Sequence, residues 1–204
     1  MGRTPRVRWR VCRRGQRIAA VLAVTAALMV GCSHGKGSGD FGGAFALVSP
    51  GGQTELDYTA SQRKALGAVS GPNLTQDGSV SVSDYPGEVV VLNFWGSWCA
   101  PCRAEAADLS LASTLLGPKG VQFIGVDIKD TREGGADFHA AKKVPYPSIF
   151  DPKMQILLSM RGYPASSIPS TVVLDRSHKV AHIWLRPVTI GEIVHVITPL
   201  TGNR

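Results

Sequence analysis

Residues 88–95 (Glu-Val-Val-Val-Leu-Asn-Phe-Trp) are largely apolar and include three β-branched valines, with no alternation of apolar and polar positions. Such a run predicts a strand covered on both faces. Residues 103–116 change to an Ala- and Leu-rich stretch that predicts a helix, stopped by Gly117-Pro118. Residues 121–127 predict a second buried strand, 134–143 a helix and 156–160 a short one. Residues 171–175 and 180–185 flank the turn at 176–179 and predict an antiparallel hairpin. Ile190, Ile193, Val194 and Ile197 then recur at helical spacing. Strand–helix–strand followed by hairpin–helix predicts one α/β domain, a mixed sheet with helices on both faces. The stretch 45–70 carries no clear period and is expected to be a partly ordered lead-in, with the domain proper over 71–204.

The one long apolar run before the domain has a different character. Residues 18–30 are uniformly Ala, Val, Leu and the like, and follow an arginine-rich start. Of the chain's 22 lysines and arginines, seven lie within residues 1–31, where there is no acid. The 15 that remain balance the 15 acids, so the formal charge of +7 belongs to the N-terminus. A positive segment before a short apolar run is the pattern of a signal peptide, here 1–31. Its end, Leu28-Met29-Val30-Gly31-Cys32, resembles a bacterial lipobox, which makes Cys32 the expected lipidation site. An uncleaved anchor helix is the alternative, although 13 residues fall short of the roughly 20 that span a bilayer. Residues 32–44, rich in Gly and Ser, predict a flexible tether. Either anchor places the domain at the cell membrane on its extracytoplasmic face. No basic patch with interleaved aromatics supports nucleic-acid binding.

Cysteine use then narrows the chemistry. Cys12 would leave with the signal and Cys32 would carry lipid, so Cys99 and Cys102 are left as a lone C-x-x-C. A loop this short makes a poor structural staple. Zinc would need further ligands at suitable spacing, which are not there, and haem attachment would need His where Arg103 stands. Redox chemistry remains, with no metal and no cofactor beyond a Cys99–Cys102 disulfide. The pair falls where the first strand passes into a helix, with Pro101 in the first turn. Helix-end N–H groups stabilise a thiolate there. Cys99 is expected to be the exposed nucleophile and Cys102 the more covered resolving cysteine. Glu105, three residues after Cys102, shares its helical face. Spacing alone leaves open whether it exchanges protons with the thiols or is a solvated first-turn carboxylate.

Phe94-Trp95-Gly96-Ser97-Trp98-Cys99-Ala100-Pro101-Cys102-Arg103-Ala104-Glu105 resembles the active-site segment of the ResA/TlpA-like thioredoxin family, bacterial membrane-tethered proteins, many serving cytochrome c maturation. The likeness runs over roughly 70–200 and takes in residues 144–151 as a family-type insertion. It implies a thioredoxin fold and a functional carboxylate at Glu105. It also implies that Pro169 in Ser167-Ile168-Pro169-Ser170 is cis, with the Ile168 backbone facing the cysteines to pair with a bound peptide. Asn93 stands where cytoplasmic thioredoxins bury an aspartate. Trp95 is expected to pack beneath the loop and Trp98 to meet partners at the surface, beside Pro101. His139, His178, His182 and His195 have no companions that suggest a site.

The function expected is an extracytoplasmic disulfide reductase. It would draw electrons from a membrane thiol donor and reduce disulfides of client proteins, apocytochrome c among them. Disulfide oxidation is the alternative. A peroxidase would place Thr where Gly96 stands, and a copper-delivery protein would use a C-x-x-x-C spacing with a distal His.

Overall fold

The computed structural model describes residues 45–48, 52–164 and 166–202. The expected signal peptide, the tether and Cys32 lie outside them. The central sheet has six strands: β1 (Glu55–Asp57), β4 (Val89–Trp95), β5 (Val121–Ile128), β6 (Ser148–Asp151), β7 (Ser170–Leu174) and β8 (Val180–Trp184), in the order β1-β8-β7-β4-β5-β6. β2 (Ser70–Pro72) and β3 (Ser79–Ser81) form a separate hairpin. β4 pairs parallel with β5 and antiparallel with β7, so it lies inside the sheet. Every β4 residue is buried, which is why its sequence shows no alternation.

Four α-helices complete the domain: α1 (Ala100–Leu116), α2 (Arg132–Lys142), α3 (Gln155–Ser159) and α4 (Ile190–Ile197). β4–α1–β5 and β5–α2–β6 are successive parallel crossovers that step the same way across the sheet. The right-handed rule therefore puts α1 and α2 on one face. There Leu109, Ala112 and Leu116 of α1 pack with Val89, Val91, Phe123 and Trp184, joined by Ile193 and Ile197 of α4. On the opposite face Ile156 and Leu157 of α3 cover Val90, Leu92, Phe94 and Val126. The mixed sheet between two helical layers is the thioredoxin fold expected from the sequence.

Two elements went beyond the hydrophobic pattern. The stretch 45–70, expected as a lead-in, adds β1 to the sheet edge, pairing Leu56 with Ile183 of β8, and buries Phe45, Leu47, Leu56, Leu66 and Val69. Three residues are too few to show a period, and their partner is 127 residues away in sequence at Leu56–Ile183. Residues 144–151 hold β6, a four-residue parallel strand that closes the other edge. α2 begins two residues earlier than predicted because the Thr131 hydroxyl accepts the Gly134 N–H and caps it. α1 begins three residues before the predicted 103, with Cys99 as its N-cap, and the other predicted boundaries agree to within a residue or so.

Leu56→Ala should destabilise the protein by about 2 kcal/mol, the lower end for a buried leucine because β1 is an edge strand. Urea denaturation measures it; an unchanged midpoint would mean that this segment is not part of the folding unit.

Candidate active site

The redox pair sits where β4 ends and α1 begins. Cys99 is the N-cap residue, and its Sγ accepts the Cys102 N–H at 3.2 Å. A sulfur there takes up one of the N–H groups that a helix start leaves unpaired and lies in the favourable end of the helix dipole. Pro101 falls in the first turn, where its missing N–H costs nothing. Cys99 and Cys102 are joined as a disulfide. In this oxidised form the expected asymmetry is not seen: Cys99 is 4% exposed and Cys102 3%. Both cysteines pack with Leu74, Trp95, Ala106 and Phe138, with Ile168 against the cluster.

Trp95 is buried beneath the loop, its ring 4.9 Å from that of Phe138. Trp98 turns outward, 54% exposed. Gly96 permits this: a Cβ there would stand 2.7 Å from the Trp98 indole nitrogen and 3.1 Å from the Ile128 carbonyl. The Ile168–Pro169 peptide bond is cis, and Pro169 is buried. The Ile168 N–H donates to the Ser166 carbonyl at 3.1 Å, so a client strand pairing at Ile168 would have to exchange that bond or use the carbonyl.

For Glu105 the structure excludes one of the two readings its spacing left open. Glu105 is 3% exposed and therefore not a solvated first-turn residue. Asn93 Nδ2 donates to its Oε1 at 2.9 Å and the Val188 N–H donates to Oε2 at 3.0 Å. Asn93 Nδ2 is held in turn by Thr171 Oγ1 at 3.2 Å. Burial pushes the Glu105 carboxyl up to about 7, against the two hydrogen bonds, which favour its charged form. Asn93 and Cys102 both line a small cavity, together with Phe138 and Tyr146 among others, with room for about one water. A carboxyl poised near neutrality can take a proton from a thiol and return it. The arrangement as a whole can carry out thiol–disulfide exchange.

Sequence reasoning missed a second buried acid, Asp127, fully enclosed on β5 with Trp95 of β4 and Phe150 of β6 as its register neighbours. Burial first, then the nearby Asp130 carboxylate, push it up to about 8. Asp130 itself accepts the Ser97 N–H at 2.6 Å and the Thr131 N–H at 2.8 Å. The available signal was a charged residue inside the otherwise apolar run 121–128. A second signal was Gly134-Gly135 inside a helix, which costs about 1 kcal/mol per glycine relative to Ala. Of the histidines, His139 Nε2 meets the Tyr146 carbonyl at 3.0 Å and His178 Nε2 that of Tyr85 at 3.1 Å. His182 is buried with Asp57 Oδ1 3.2 Å away. Among the described residues, no group of three or more His, Cys, Asp or Glu side chains is arranged to hold a metal.

Residues 64–183 match the AhpC/TSA family. The chain belongs to that family. Within it, the chain is similar to ResA, a thiol-disulfide oxidoreductase of Bacillus subtilis, with 27% identity over 59% of this chain and 67% of that protein. It is similar also to the thiol:disulfide interchange protein HelX of Rhodobacter capsulatus, with 32% identity over 57% of this chain and 63% of HelX. ResA of Geobacillus thermodenitrificans is likewise matched over 63% of its length. A crystal structure of a secreted thiol-disulfide isomerase from Corynebacterium glutamicum superposes with a TM-score of 0.76 at 38% identity, over 78% of this chain and 99% of that one. A DsbF homologue from Corynebacterium diphtheriae does so with a TM-score of 0.73 at 40% identity, over 76% and 99%. These likenesses agree with a ResA-like thioredoxin-family protein.

The raised Glu105 pKa has a signed consequence for stability. Protonated Glu105 is favoured in the fold, so its contribution is complete below about pH 4.5, the ordinary carboxyl value, and is lost as the pH rises through about 7. Relative to Glu105→Gln, which stays neutral, the oxidised wild type should lose about 3 kcal/mol between pH 4 and pH 8. Urea denaturation of both proteins across that range measures the difference, and a constant gap would assign Glu105 an ordinary pKa.

Proposed function

We propose that this chain is a thiol–disulfide oxidoreductase acting outside the cytoplasm, tethered through a lipid on Cys32, and that it reduces disulfides in client proteins. The observation that carries the reading is the Cys99–Cys102 pair at the α1 N-terminus with Glu105 buried close by and poised near neutral pH. The similar proteins of Bacillus, Rhodobacter and Corynebacterium support the reaction class by their names. The C. glutamicum neighbour is described as secreted, which supports the compartment. No helix of the described residues is long and apolar enough to cross a membrane, so in this reading the anchor lies in the N-terminal segment.

In the reduced protein the Cys99 thiolate attacks one sulfur of the client disulfide. The client S–S bond breaks, a mixed disulfide forms and the first client thiolate leaves. Cys102 gives its proton to the Glu105 carboxylate and its sulfur attacks Cys99 Sγ. This releases the second client thiolate and forms the Cys99–Cys102 disulfide. The client gains two electrons and this protein loses two. A membrane dithiol donor returns them, so no further cofactor is required. Ile168, cis-Pro169, Trp98 and Pro101 form the surface that meets the client backbone. Apocytochrome c, whose paired cysteines must be reduced before haem is attached, is the client class that the ResA/TlpA-like resemblance favours.

The reduction potential of the Cys99–Cys102 couple tests the direction. A value of about −270 mV or lower is expected; one near about −120 mV would make the protein an oxidase of its clients. Cys102→Ser should accumulate a mixed disulfide through Cys99 when given a disulfide-bearing protein, seen by non-reducing electrophoresis. Failure to form any adduct would remove Cys99 from the attacking role.

A further inference from the structure

Asp127 is fully buried, and no N–H or O–H donor among the described residues reaches either of its carboxyl oxygens. Trp95 and Phe150 flank it in the sheet, and Gly135 of the next helix lies against it. A Cβ at Gly135 would overlap Asp127 Oδ2 and stand 3.2 Å from Leu74. A Cβ at the preceding Gly134 would stand 3.1 Å from Asp130 Oδ1 and 3.2 Å from Ser97 Oγ. The two adjacent glycines of α2 therefore each face one of two carboxyl groups, and Asp130 is the like charge that acts on Asp127. Two carboxyl groups bond only when one of them holds a proton. Asp127, enclosed and with no donor to stabilise its charge, is the one suited to hold it. Asp130 has the Ser97 and Thr131 N–H groups to stabilise its charge.

We propose that Asp127 and Asp130 are a proton-sharing pair that latches the turn at 96–98 and thereby positions Cys99. Asp127 acts through Asp130, so it is a positioning residue and touches neither sulfur nor client. The path is short: neutral Asp127 donates to Asp130, which holds the Ser97 N–H two residues before the nucleophile. From the helix side Arg103 Nη1 donates to the Ser97 carbonyl at 3.4 Å, and the Cys99 N–H closes the turn on the Gly96 carbonyl at 3.1 Å. The other charged group facing Asp127 is Arg132, and its Nη1 is committed to the carbonyls of Asn73 at 2.6 Å and Leu74 at 2.8 Å. When Asp127 loses its proton, in the region of pH 8, two like charges face each other in a dry site and the hold on Ser97 weakens.

The latch rests on the redox reading only in its consequence for Cys99, so it is tested first in the disulfide form, where neither cysteine titrates. The Ser97 amide proton shift, followed by NMR from pH 6 to 9.5, should step near pH 8 in the wild type. The step should vanish in Asp127→Asn, which keeps a donor but no titrating proton. It should move at least one unit lower in Asp130→Asn, which removes the neighbouring charge. A flat Ser97 signal in the wild type, or a step that survives Asp127→Asn, overturns the pair. In the reduced protein, the Cys99 alkylation rate by iodoacetamide, corrected for thiolate fraction, should change at least threefold across the same pH in the wild type and stay within twofold in Asp127→Asn. Identical profiles would sever the latch from Cys99. If Asp127→Asn does not fold, the wild type and Asp130→Asn carry both readouts. A potential near the oxidase end would revise the proposed direction and leave the latch standing, whereas loss of the Ser97 step does the reverse.

Discussion

Glu105 stays in the core because each carboxylate oxygen finds an N–H: Asn93 Nδ2 on one side and the Val188 backbone on the other. The site depends on this contact. It ties the middle of β4 and the first turns of α1, consecutive in the chain, to the distant loop that leads into α4. It also binds them at the level of Cys102, one turn further along α1. An ionised carboxylate with no such partners would be too costly to bury, and one with stronger partners would stay charged at every working pH. Two hydrogen bonds set against nearly complete burial leave it near neutrality, which is what a group exchanging protons with thiols requires.

The polar groups around the disulfide form two tiers. Asn93, Glu105 and Thr171 lie toward the β7 side of β4 and, in the proposed mechanism, serve Cys102. Asp127, Asp130 and Arg132 lie toward the β5 side and serve the turn before Cys99. Between them the Trp95 ring and Phe138 form an apolar wall. In the proposed scheme each cysteine thus has a carboxyl group of its own within the same helix–strand layer. The low dielectric that raises both carboxyl pKa values comes from the same packing that buries the sulfurs.

Much of this was legible along the chain. The unbroken apolar run of β4 reported a strand covered on both faces, and the change to Ala and Leu after Cys102 reported α1. The junction between them located the redox pair, because helix N-termini favour thiolates whatever the rest of the fold. Glu105 could be singled out by spacing and Asn93 by the family resemblance, though not their contact. β1 and β6 were not legible, since three- and four-residue edge strands show no period and are stabilised by partners far away in sequence.

Local sequence by itself determined the central strand, the helix that follows it and the identity of the reacting sulfurs, because those depend on neighbouring residues and on the N–H groups of one helix end. Tertiary structure alone decided the protonation chemistry. Burial of Glu105 requires Val188, 83 residues away, and burial of Asp127 requires the crossover that lays Gly134-Gly135 over β5. A carboxyl pKa is a property of the dielectric and the donors around it, and only the folded chain assembles those.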